Sequence, residues 1–377
     1  MNILFITIIL PGALYGGGEI WSQTIIDGLR RLGGNVEILG YQRRPGPWKL
    51  GEKGVGMRTV ETSRARLGVA GWGVRALLSG QPYTVQKWAG SVFLSHLRKA
   101  LDGRSWDMVV INHVGSAWAL NAIDGIPIVH VSHQAEAELY NRHAAAAHGL
   151  AHLAYAREGI LLGKVEATLA KRAEAVWCIS DRDRAYFDKI GAKRAVALPP
   201  LPRPDWAIGA KTAAGCGPDV ALLGSWTWKP NREALRWFLS EVRPRLPREW
   251  TIAIGGKYDA GDFADFPDTN FVGVVDDPCT FLRGAKRIAV PSRAGVGAPL
   301  KLLDAIAALR PVVTTSKAIA QIGAVPRHVI GAASAEAFAI ALKDTLYPDS
   351  AETATWLSGR RDRFDALMAE SLSRVVR

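Results

Sequence analysis

Cysteine is scarce in this chain. Its three residues, Cys178, Cys216 and Cys279, lie far apart among 377 and share no metal-ligand spacing with the eight histidines. A disulfide framework and a zinc module are therefore excluded, and a reducing compartment is the simpler reading. Long apolar runs are missing as well, since no stretch reaches the 18 or so apolar residues that cross a bilayer. Internal repeats are absent, and low complexity is confined to the AAAA at 144–147. Acids are outnumbered: 35 Asp and Glu face 47 Lys and Arg, a formal net charge of +12. What remains is a globular composition, 48% hydrophobic and 22% charged, long enough for two domains with a core each.

The N-terminal MNILFITIIL has no basic lead and no small-residue cleavage site, and it stops at Pro11 and Gly12. It reads as a first buried strand and not as a signal peptide. The excess positive charge is concentrated in residues 41–104, where 12 Lys and Arg meet only Glu52, Glu61 and Asp102, a local balance of +9. Trp48, Trp72, Trp88, Met57 and Phe93 are interleaved with those charges. Basic side chains with amphipathic aromatics suit an anionic membrane surface, and a solvated basic face is the alternative. No helix-turn-helix, RNA-binding sheet or zinc finger accompanies the charge, so nucleic acid is not an expected partner.

The most informative stretch is IAVPSRAGVGAPLKLLDAIAALRPVV, 288–313. An apolar strand stops at Pro291, a loop with Gly295 and Gly297 follows, and Leu300, Leu303, Ile306, Ala307 and Leu309 recur at helical spacing. Arg310 and Pro311 close the helix, and Val312 and Val313 open another strand. This is the β-loop-α-β unit of a parallel sheet. A helix opening at a glycine loop aims free N–H groups at what lies above the strand, which suits a diphosphate. Lys301 in the first turn can reach a phosphate. Asp304, a turn later on the same face, can accept sugar or ribose hydroxyls. A solvated Lys and Asp on an ordinary helix is the structural alternative.

The segment resembles the donor-binding signature of the group 1 glycosyltransferases of GT-B fold. Asp304 matches the second of that family's two acids, while Val296 stands where the first belongs. GVGAPLKLLDA is closest to the variant of an exopolysaccharide-associated subgroup, which reads near to GGGTRLKILEA. The resemblance implies that Arg293, Gly295, Gly297, Pro299, Leu300, Lys301 and Asp304 line a nucleotide-sugar donor site.

The rest of the chain has the same grain. Asn2 to Ile9 is a predicted strand, Glu19 to Leu32 a helix and Val36 to Leu39 a strand, with Gly16, Gly17, Gly18 and Glu19 between the first two. The spacing is not the dinucleotide fingerprint. It resembles the GGxE loop on the acceptor side of group 1 enzymes, and a structural turn is the alternative. A helix is predicted over 85–101, strands over 108–112 and 126–131, and one or two long helices over 134–174. His113, His130 and His133 are candidates. His130 lies within its strand and reads as packing, whereas His133 follows the strand's carboxyl end, where open α/β sheets hold ligands. The resemblance gives His133 contact with the donor sugar. SDRD at 180–183 reads as a helix cap and not as a metal motif, so no metal site is predicted.

PPLPRP, 199–204, is the clearest boundary, and it predicts an N-terminal domain over 1–198 and a C-terminal one over 205–349. The helical tail 350–377 is long enough to cross back to the first domain, as the last helix does in GT-B folds. Within GSWTWKPNREALRWF, also similar to the exopolysaccharide subgroup, Ser225 replaces the arginine of other group 1 enzymes. Lys229 takes over that phosphate contact or is a surface lysine. The expected fold is α/β: two doubly wound Rossmann-like domains facing a cleft. The resemblance implies a retaining, metal-independent and cofactor-free glycosyltransferase, with His133 and Lys301 catalytic. It would work in the cytoplasm or peripherally on the inner face of the plasma membrane, using a nucleotide-sugar donor and a lipid-linked or saccharide acceptor in cell-surface glycan synthesis. A GT-B epimerase and a nucleotide-sugar binding protein without turnover are the alternatives.

Overall fold

The computed structural model describes the chain except residues 14–15, 44–45, 47–48, 59–65, 204–216, 294–299 and 376–377. The chain divides into two units, one of residues 1–198 with 363–377 and one of residues 199–362.

In the first unit the apolar runs become strands because a parallel sheet covered on both faces buries both sides of each strand. They are β1 (Asn2–Ile9), β2 (Asn35–Gln42), β3 (Glu52–Met57), β4 (Met108–Asn112), β5 (Ile128–Val131), β6 (Ala175–Cys178) and β7 (Ala195–Ala197). They lie in the order β3-β2-β1-β4-β5-β6-β7, and every pairing is parallel. The helices are α1 (Gly17–Arg31), α2 (Arg66–Leu78), α3 (Tyr83–Gln86), α4 (Ser91–Asp102), α5 (Glu136–Ala145), α6 (Gly149–Arg172) and α7 (Asp181–Lys189), with a 3-10 segment over Val114–Ala122. SDRD behaves as a cap: the Ser180 hydroxyl accepts the Asp183 N–H, and α7 starts three residues earlier than the apolar spacing suggests.

Three expectations need correction here. Strand β3 lies in what reads from sequence as a basic surface tract. Its EKGVGM lacks the β-branched run of a central strand, and it forms the edge of the sheet, where charge and glycine are tolerated. The single helix predicted over 85–101 is split in two, with α4 opening at Gly90. Two of the aromatics read as membrane-facing are core residues: Trp88 and Phe93 pack with Leu39, Tyr41 and Ile111. The charges around them are engaged as well. Arg58 stacks on Tyr41 and Trp72, Lys53 pairs with Glu37, and Arg43 pairs with Glu19.

The second unit holds β8 (Val220–Leu223), β9 (Ile252–Gly255), β10 (Asn270–Gly273), β11 (Ile288–Val290), β12 (Val312–Thr315) and β13 (Val329–Ala332). Their order is β10-β9-β8-β11-β12-β13, again all parallel. Its helices are α8 (Lys229–Trp237), α9 (Pro278–Gly284), α10 (Leu300–Ala307), α11 (Ser316–Ile322) and α12 (Ala335–Lys343). The apolar stripe of α10 packs Leu302, Leu303 and Ile306 against Ile288, Val290 and Val312. The helix ends sooner than Arg310 and Pro311 suggest, because Leu309 turns to φ 56, the left-handed geometry of a helix stop.

The last helix, α13 (Ser350–Val375), begins in the second unit and ends in the first. Among the described residues no helix is long and apolar enough to cross a membrane.

Candidate active site

In each sheet one reversal of strand order leaves two carboxyl ends side by side with their loops running opposite ways, and such a point holds ligands in open α/β folds. In the first unit it lies between β1 and β4, in the second between β8 and β11.

The first-unit edge joins three loops. After β1 comes the glycine turn. Glu19, three residues into α1, is buried; its carboxylate accepts the Gly16 N–H at 3.0 Å and pairs with Arg43 Nε at 2.5 Å, fixing the turn. After β4 comes His113, at φ 70, a backbone geometry costly for a residue with a Cβ and therefore a pointer to function. Its Nδ1 accepts the Gly115 N–H at 2.9 Å, and its Nε2 lies 3.3 Å from Glu136 at the start of α5. After β5 comes His133, its ring 5.1 Å from that of His113 and its Nε2 2.9 Å from Asn112 Oδ1. A Cβ on Gly18 would sit 3.2 Å from His133 Nδ1, so the bare glycine backbone gives the imidazole its room. His130 is a core residue. It donates Nδ1–H to the Ile111 carbonyl, and burial pushes its pKa down to about 4, so it stays neutral.

The second-unit edge is built around Lys301. It extends from the first turn of α10 to Asn231 in the first turn of α8, its Nζ donating to Asn231 Oδ1 at 2.6 Å and lying 5.4 Å from the Trp226 ring centre. The Asn231 amide in turn donates to the Ser225 carbonyl, and Trp226 Nε1 donates to that of Gly255. Burial pushes the ammonium down to about 8. No carboxylate among the described residues balances it.

Asp304 stands differently from its expected role. It is 2% exposed, and its carboxylate oxygens accept the backbone N–H and the Nε of Arg203, each at 3.0 Å. Burial pushes its carboxyl up to about 6 despite that partner. A ribose hydroxyl would have to share it with Arg203. Lys229 opens α8 but is exposed, with Glu233 at 3.8 Å. Arg293 is exposed at the end of β11, its guanidinium 5.1 Å from the Trp237 ring centre. Gly295, Gly297 and Pro299 lie outside the described residues, and Leu300 opens α10. Sequence reasoning missed Asn112, Asn231 and Arg203. For Asn112 there was a signal: a polar residue closing the apolar run MVVIN at a carboxyl end.

Two parallel sheets, each with polar side chains gathered at its switch point, define a ligand-holding α/β protein. A family model described as Glycosyl transferases group 1 matches residues 217–347, and one described as Glycosyl transferase 4-like domain matches residues 16–200. No curated protein matches the sequence. Solved structures do match in fold. The glycosyltransferase WaaG, involved in lipopolysaccharide biosynthesis, is 17% identical with a TM-score of 0.60 over 96% of this chain and 95% of that one. HepE of Anabaena, solved with UDP and glucose, is 14% identical with a TM-score of 0.59 over 99% of both. Sucrose-phosphate synthase from Thermosynechococcus elongatus is 16% identical with a TM-score of 0.58 over 99% and 97%. The chain belongs to the group 1 glycosyltransferases of GT-B fold.

Proposed function

We propose that the chain transfers a sugar, with retention and without a metal, from a nucleotide-sugar donor to a lipid-linked or saccharide acceptor in cell-surface glycan synthesis. The observation that carries this is Lys301: a half-buried cation at a switch point, held by an amide and an indole, has among the described residues no anion of the kind its environment calls for. A diphosphate supplies it. Charge developing on the leaving group is then stabilised by Lys301, with Lys229 and the first turn of α10 in support. His133, beside the glycine turn, meets the transferred sugar. The solved complexes of HepE with UDP and with UDP-glucose support the donor class.

The test is calorimetry with UDP-, GDP- and dTDP-sugars. Lys301→Met keeps the apolar stem and is expected to weaken the best donor about 10- to 100-fold, the loss of a charge-assisted contact. Wild-type binding near pH 8.5 should also take up a proton, because the bound anion raises a lysine whose pKa is about 8 in the free protein. Unchanged affinity in a folded Lys301→Met protein would place the diphosphate elsewhere.

A lipid-linked acceptor implies contact with an anionic surface. The support is now α2, which exposes Val74, Leu77 and Leu78 beside Arg75 within the basic region. Sedimentation with anionic vesicles should show binding in dilute buffer that salt weakens, and Leu77→Ser with Leu78→Ser should remove what salt leaves. Indifference of the wild type to such vesicles at low salt would leave the lipid-linked acceptor without support.

A further inference from the structure

The hydrogens around His133 can be assigned from its neighbours. The Thr7 hydroxyl donates to the Ile9 carbonyl at 3.1 Å, and the Ser22 hydroxyl donates to the Gly18 carbonyl at 2.8 Å. Each hydroxyl has spent its one proton, so each oxygen is free only to accept. Asn112, fully buried, sends its Nδ2 to both, at 2.9 Å and 2.8 Å. The two amide hydrogens are thereby used, and the atom turned toward His133 is the Oδ1 acceptor. An acceptor at 2.9 Å requires that His133 Nε2 carry the hydrogen. Its Nδ1 is then a bare lone pair beside Gly18, with no hydrogen-bond partner among the described residues.

We infer that Asn112 is a positioning residue for glycosyl transfer: through Thr7 and Ser22 it locks His133 as the Nε2–H tautomer, so that Nδ1 accepts a hydrogen bond from a hydroxyl of the transferred sugar. This rests on the reading that His133 meets that sugar. The recognised chemistry is an O–H donor, and a sugar lacking a hydroxyl there leaves Nδ1 unsatisfied. His113 from the loop after β4 and His130 from β5 are the titratable groups facing His133. Glu136 touches His113, and Glu19 on α1 is turned to Gly16 and Arg43. Burial holds His133 neutral well below the usual histidine range, which keeps Nδ1 open at ordinary pH.

The experiment uses the full chain labelled with ¹⁵N-histidine, and the His133 signals are assigned by their loss in His133→Gln. Wild type is expected to show Nε2 protonated and Nδ1 bare. Asn112→Leu should lose that single tautomer, and Asn112→Asp should protonate both nitrogens near pH 7, because a carboxylate at Nε2 favours the imidazolium. Turnover of the tightest-binding nucleotide-sugar is followed in parallel. Asn112→Asp should lose at least tenfold at pH 7 and recover as pH rises, with donor KM little changed. An Nδ1–H tautomer in wild type, or an Asn112→Leu protein that keeps the wild-type tautomer, overturns the inference. So does wild-type turnover in both Asn112 variants when His133→Gln is impaired. Wild-type turnover in His133→Gln overturns instead the reading beneath it, and the tautomer measurement still judges Asn112.

Discussion

Replacing Glu166 by alanine is expected to destabilise the first unit by about 3–5 kcal/mol, a drop in melting temperature of about 6–20 °C. Glu166 on α6 is fully buried, and its carboxylate accepts the N–H groups of Glu136 and Ala137 at 2.7 and 3.3 Å and the Tyr186 hydroxyl at 2.7 Å. The first two belong to the opening of α5, whose Ala135 N-cap offers no side-chain cap. Alanine strands three donors at once, and it loosens Glu136, the partner of His113. Burial pushes the Glu166 carboxyl up to about 7 from an ordinary value of 4.5. A carboxyl raised on folding binds its proton more tightly in the native state. Its contribution is fully present below about pH 4.5 and is lost as pH rises through about 7, on the order of 3 kcal/mol. Buried His130 acts the other way, losing stability as pH falls from about 6.5 to about 4. Urea midpoints of wild type and Glu166→Gln between pH 5 and 8 separate the two. Wild type should fall more steeply with rising pH, and parallel curves would show that Glu166 is ionised throughout.

Phe364→Ala should cost a similar amount, about 3–5 kcal/mol, for a different reason. Phe364 lies where α13 enters the first unit. It is fully buried, edge-on to Trp21 with ring centres 6.4 Å apart, and so close to α1 that a Cβ on Gly28 would stand 2.5 Å from its ring. Two consequences can be measured by chemical denaturation. Phe364→Ala opens a cavity. Gly28→Ala, disruptive alone, should cost far less in the Phe364→Ala background, since the ring is gone and only the flexible end of Met368, 3.1 Å from that Cβ, has to yield. Additive effects of the two changes would mean that α13 does not pack there.

The parallel sheets were readable because β1 and β11 are largely apolar runs that soon meet proline, β4 is an apolar run closed by Asn112, and α10 keeps helical spacing between β11 and β12. Lys301 was readable for the same reason, as a charge in the first turn of a helix that follows a loop. What escaped was pairing at a distance. Nothing in the local pattern of Asp304 announces Arg203, 101 residues away, and nothing in KPNREAL marks Asn231 as the partner of Lys301. Trp88 and Phe93 misled because basic neighbours made them look like surface residues, although they fill space behind β2 and β4. Strand β3 escaped because an edge strand does not need apolar residues on both faces.

The path of α13 also governs how the protein is made. Residues 1–198 leave the ribosome before the second unit, yet the segment that covers Trp21 and supplies Ser371 to Trp177 Nε1 follows that unit, from residue 363 on. At ordinary rates of synthesis the first unit waits roughly 10–30 s for its closing piece. During that interval its core is open on one side, and only a chain translated through residues 363–375 can shut it. A chain stopped just short of residue 363 therefore carries the whole second unit and an unfinished first one, with Trp21 and Trp177 missing their α13 partners.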